Sequence, residues 1–83
     1  MGTARRPQPK KLAKKLRQIR KSLGLTQEQM AIRLKTTPSP PQPAHISRFE
    51  KGLREPSLPV LLAYARLAGI STDLLIDDKL DLT

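Results

Sequence analysis

Leu23-Gly24-Leu25-Thr26-Gln27-Glu28-Gln29-Met30-Ala31 decides how the rest of the chain is read. It contains a stop and a start. Gly24 is placed to end one helix in the left-handed conformation that glycine adopts without a Cβ clash. Thr26 is placed to open the next. Thr26-Gln27-Glu28-Gln29 has the capping-box spacing, in which the Thr26 hydroxyl accepts from the Gln29 amide and the Gln29 side chain reaches back.

Upstream of that stretch, Leu12, Leu16, Ile19 and Leu23 step by four, three and four and so share one helical face. Lys14, Lys15, Arg17 and Lys21 fall off this face and are expected to be solvated. Downstream, Met30, Ala31 and Leu34 supply the buried side of the second helix. It should end near Lys35, because Pro38 disfavours helical geometry in the residue before it.

Residues 36–43 hold four prolines, Pro38, Pro40, Pro41 and Pro43, and predict extended or polyproline-like backbone. An ordered, protruding loop is expected here, with Thr36, Thr37 and Ser39 on display. Pro43 suits a first helical position, where its missing N–H costs nothing. Gln42 is then the cap of a third helix over 43–51, closed by Gly52. Ser57 caps a fourth, with Pro59 in its first turn, Gly69 past its end, and Leu58, Leu61, Leu62, Ala65 and Ala68 as its apolar face. Ser71 caps a short fifth helix, with Leu74 and Leu75 turned inward and Asp73 near the positive end. Nothing reads as strand, so the fold class is all-α with five helices. The expected organisation is a disordered basic arm over 1–9, one domain over 10–78 and a tail over 79–83.

Composition narrows the function classes. Eighty-three residues make one small domain, whose stability rests on aliphatic packing. With no cysteine and a single histidine, His45, neither a disulfide nor a thiolate or imidazole metal site is available. No nucleophile–base pair or glycine-rich phosphate loop is present, so an enzyme is the poorest fit and no cofactor is expected. No apolar run is long enough for a membrane span, and the first residues are polar and basic rather than a signal core. A cytoplasmic, nucleoid-associated protein is therefore expected.

Charge is unevenly placed along the chain. Residues 1–22 carry nine basic side chains and no acid, whereas residues 69–83 carry four acids and one lysine. That asymmetry implies a polyanionic partner on one face, the alternative being a solubilising basic tail.

Three fragments in order carry a resemblance: the stretch 23–31 quoted above, Ile46-Ser47-Arg48-Phe49-Glu50-Lys51-Gly52, and Arg54-Glu55-Pro56-Ser57-Leu58. Over residues 10–76 the chain resembles the phage-repressor/Cro-type (XRE-like) helix-turn-helix family. The resemblance implies a lambda-repressor-like five-helix domain that binds double-stranded DNA with the helix over 43–51 in the major groove. It further implies a pair between Glu50 and Arg20 that presents the Arg20 guanidinium to the DNA backbone. It also implies a homodimer on a palindromic operator; Leu80 and Leu82, with no evident place in the core, would pack across the two-fold axis.

The residues support this assignment individually. Gln27 stands at the start of the second helix, where free amides and the helix dipole attract phosphate. At about 100° per residue, Ile46 and Phe49 define the buried side of the third helix. Ala44, Ser47, Arg48 and Lys51 collect opposite them, with His45 on the flank. That exposed side is small, polar and basic, as entry into the major groove requires. Arg48, if not merely a solvated surface arginine, suits the O6/N7 edge of guanine. Lys51 and Arg54, at and just beyond the helix end, suit phosphate. His45 reads equally as a surface residue or as a base or phosphate contact.

One departure stands out. The connection over 35–42 is eight residues without glycine, where a turn of three or four is usual. Gln42, Pro43 and Ala44 therefore occupy the start of the third helix, where base-reading polar side chains are common. Ala44 is left with a thymine methyl as its complement.

The leading reading is a sequence-specific transcriptional regulator acting as a repressor. Alternatives are the antitoxin of a toxin–antitoxin pair, with the toxin docked on the acidic C-terminal end, and a protein–protein adaptor on the same fold.

Overall fold

The computed structural model describes residues 11–82. The expected arm over 1–9 and the first residue of the expected domain, Lys10, lie outside them. Five helices follow one another: α1 (Leu12–Ser22), α2 (Gln27–Arg33), α3 (Pro43–Glu50), α4 (Leu58–Ala68) and α5 (Thr72–Ile76). The described residues contain no strand.

The caps set these boundaries. Thr26 Oγ1 accepts from the Gln29 amide at 3.1 Å while Gln29 Oε1 accepts from the Thr26 amide at 2.9 Å, which completes the capping box. Gly24, Gly52 and Gly69 all have positive φ. Each closes its helix with the same pair of reversed hydrogen bonds, for example Leu53 N–H to Arg48 O at 2.9 Å and Gly52 N–H to Phe49 O at 3.2 Å. Ser57 Oγ accepts from the Val60 amide at 3.4 Å. Ser71 has the extended backbone of a cap, but its side chain makes no capping bond.

α1 is the hub. It packs on α3, α4 and α5, and α3 packs in turn on α2. Leu12, Leu16 and Ile19 of α1 join Met30, Ala31, Leu34, Ile46, Phe49, Val60, Leu61, Tyr64, Ala65 and Leu75 in one core. Leu23 departs from its expected place and is 37% exposed, because as the C-cap residue it lies where the chain turns away from the helix axis. α4 keeps Leu61, Ala65 and Ala68 of its expected face on the core but not its other two leucines. Val60 and Tyr64 are buried, whereas Leu58 is 71% and Leu62 40% exposed. Ser57 and Pro59 fix where this helix starts but not which side turns inward, and the side that does so carries Tyr64.

Lys15 corrects a third expectation. It is not solvated but 2% exposed. Its Nζ donates to Leu74 O at 2.6 Å and to Asp77 O at 2.9 Å, so a lysine of α1 caps the C-terminal end of α5. The last carbonyls of a helix lack intrahelical donors and carry partial negative charge, which makes a buried ammonium welcome there. Next to it, the Lys11 amide donates to Asp78 Oδ1 at 2.9 Å and Lys11 Nζ to Asp81 Oδ1 at 3.4 Å. Part of the N-terminal cation is thus answered by the acidic end of the same chain. Leu82, expected to lack a place in the core, packs against it, while Leu80 stays 38% exposed.

The proline-rich segment is anchored at two points, with Pro38, Ser39 and Pro40 exposed between them. Thr37 and Pro41 are buried, and Thr37 Oγ1 donates to Leu34 O at 2.8 Å. Thr37 is therefore unavailable to a ligand, whereas Thr36 and Ser39 remain exposed.

Candidate nucleic-acid interface

The N-terminal ends of α2 and α3 converge on one open cleft of about 650 Å³, lined by Arg20, Thr26, Gln27, Glu28, Pro43, Ala44 and Ser47. Four of the residues expected to contact DNA meet here: Arg20, Gln27, Ala44 and Ser47. Gln42, Arg48, Lys51 and Arg54 are exposed but outside the lining, continuing along and beyond α3. Thr26 was legible only as a cap; that same position puts it in the cleft. Glu28 is the one acid of the lining, in the first turn of α2, where it complements the helix dipole.

The orientation of α3 is held from behind. Arg20 Nε donates to Glu50 Oε2 at 2.7 Å and Nη2 to Glu50 Oε1 at 3.0 Å, a bidentate pair. Arg20 Nη1 donates to Leu25 O at 2.8 Å, and the Leu25 amide returns a bond to Arg20 O at 3.2 Å. One guanidinium therefore ties α1, the turn after it and α3. The Glu50 hydrogen bond holds Arg20 in its charged form against the opposing effect of burial. Its side chain is 13% exposed and that of Glu50 5%, so only an edge of the guanidinium reaches the cleft.

Gln27 is turned partly inward, its Nε2 donating to Glu50 Oε1 at 3.4 Å. Its backbone amide is at the first position of α2, among the donors a helix leaves free. His45 Nδ1 accepts from the Gln42 amide at 3.1 Å, so the imidazole buttresses the start of α3 and keeps only Nε2 for other partners. The side chains of Arg48, Lys51 and Arg54 make no hydrogen bond or ion pair among the described residues. The outer side of α3 is thus a run of small and cationic groups with free donors.

Behind the interface, Tyr64 is fully buried and its hydroxyl has no hydrogen-bond partner among the described residues. Burial, reinforced by the nearby Glu50 carboxylate and opposed by Arg20, raises its pKa far above the ordinary phenol value. No group of three or more potential metal ligands occurs among the described residues, and no described helix is long and apolar enough to cross a membrane.

These features define a helix-turn-helix protein, and over residues 11–76 the chain matches the model of the family described as "Helix-turn-helix domain", to which it belongs. Among solved structures, the P22 c2 repressor protein in complex with synthetic operator 9T in the presence of Tl+ has the same fold. The TM-score is 0.68 at 24% sequence identity, over 81% of this chain and 94% of that chain. No curated protein matches the sequence.

Proposed function

We propose that the chain is a sequence-specific repressor that places α3 in the major groove of operator DNA. The observation that carries this reading is the outer side of α3. Ala44, Ser47, Arg48 and Lys51 form a face without an acid, on a helix that Arg20 and Glu50 hold in place. Arg48 would read a guanine edge, Ala44 a thymine methyl, and Ser47 a neighbouring base edge. Lys51, Arg54 and the α2 amides at Gln27 would grip phosphates, with the exposed edge of Arg20 beside them. Gln42 and the free Nε2 of His45 stand at the start of α3, within the same footprint. The P22 c2 repressor bound to an operator supports the same use of this fold.

The operator would be a palindrome bound by a homodimer, with residues 1–9 serving as a basic arm that follows the backbone. The site of action would be the cytoplasmic nucleoid. Selection of bound duplexes from a random pool, followed by titration in salt, tests the reading. An enriched palindromic consensus is expected, with a log–log salt slope of about −4 to −5 per half-site. A pool with no enriched sequence, or a slope near zero, overturns it.

A further inference from the structure

Away from the DNA-facing cleft, the C-terminal end of α2 and the outer side of α4 enclose a groove of about 240 Å³. Half-buried Ala63 and Leu67 and the 40% exposed Leu62 give it an apolar wall. Exposed Arg33 and Arg66 give it charge, and none of its lining residues is a carboxylate. Neither guanidinium has a hydrogen bond or ion pair among the described residues. Leu58, Leu62 and Arg66 follow one another at steps of four on α4, so an exposed leucine stripe leads directly to the second arginine.

We propose that this groove docks an acidic, leucine-bearing segment of a partner protein. Carboxylates would engage Arg33 and Arg66, and an apolar side chain would cover Leu62 between them. Arginine forks bind carboxylates bidentately, and a leucine wall beside them is the anatomy of a protein contact. Nucleic acid fits less well. Arg33 is six residues beyond Gln27 on α2, about 9 Å along the axis from the amides that face the cleft. A phosphodiester backbone also offers nothing to Leu58 or Leu62. A second copy fits poorly too. Pairing this face with itself about a two-fold axis brings four guanidiniums together and no carboxylate, and Asp78 and Asp81 at the acidic end are already held on Lys11.

The test titrates the isotopically labelled full chain with a short synthetic peptide that alternates Asp or Glu with Leu, up to about 1 mM. Amide shifts should move at Arg33, Thr36, Leu62, Ala63 and Arg66, and a peptide with Asn and Gln in place of the acids should leave them still. The double variant Arg33→Gln/Arg66→Gln should bind the peptide at least about tenfold more weakly. Its affinity for random duplex DNA should exceed that of the charge-matched Lys51→Gln/Arg54→Gln. Shifts that map instead to Ala44 and Ser47 at the start of α3, or no shifts at all, overturn the proposal. So does a double variant that loses DNA as steeply as its charge-matched control, which would place the arginines in the DNA footprint.

Discussion

Arg20 and Glu50, thirty residues apart, face each other across α1 and α3 through two hydrogen bonds of 2.7 and 3.0 Å, with little of either side chain exposed. Glu50→Ala leaves the guanidinium with its Leu25 carbonyl bond alone, in a site built for an ion pair. A loss of about 3 kcal/mol in unfolding free energy is expected. Adding Arg20→Met should recover part of it, since the unpaired charge is gone. Urea unfolding of the single and double variants checks this; strictly additive losses would show that the two side chains do not act as a pair.

Arg48 and Lys51 should separate by their effect on sequence preference. Arg48→Ala should relax one base position by about 1–3 kcal/mol, whereas Lys51→Ala should weaken all duplexes about equally and flatten the salt slope by roughly one. Binding-site selection on both variants is the measurement. If their consensus sequences match, the division between base and phosphate contacts is wrong.

Tyr64→Phe should stabilise the protein by about 1 kcal/mol, because it removes a buried hydroxyl that has no partner among the described residues while keeping the ring. A shift of the urea midpoint to higher concentration is expected.

The same hydroxyl predicts a pH dependence. Its folded pKa is raised above the unfolded value of about 10, so its contribution is fully present below that pH. Above it the unfolded chain releases a proton that the folded chain retains, and stability falls as pH rises further. Thermal melts of Tyr64→Phe should show a flatter alkaline limb than the parent protein; identical limbs would point to another group.

Lys15→Met keeps the aliphatic stem but removes both bonds to the end of α5. About 2 kcal/mol of destabilisation is expected, with the earliest loss of amide-exchange protection in residues 72–77. Uniform loss across α1 instead would show that Lys15 acts through its own helix.

How much of this was legible in the sequence depends on whether the signal was local. The Thr26 capping box, the turns at Gly24, Gly52 and Gly69, and the buried side of α3 are written within a few residues of where they act. The pair of Arg20 with Glu50 was legible only through resemblance, since nothing near either residue names the other. Lys15 was misread because helical periodicity treats a lysine as solvated unless a distant acceptor is known, and its acceptors are carbonyls of α5. Tyr64 went unnoticed because the leucines around it made an equally plausible stripe. In the proline-rich segment, composition predicted extended backbone but could not tell a free edge from one packed through Thr37 and Pro41.

The clasp of Lys15 on α5 also sets an order in time. Its acceptors lie 59 and 62 residues further along the chain. At a synthesis rate of about 5–20 residues per second, the ammonium waits roughly 3–12 seconds for them to be made. Until then α1 has neither its buried cation satisfied nor Leu75 to close the core. A chain stopped before residue 74 therefore carries all of α3 without the α5 carbonyls that Lys15 needs. The contacts of α5 with α1 and α4 are therefore the last that the five helices can make as the chain is synthesised.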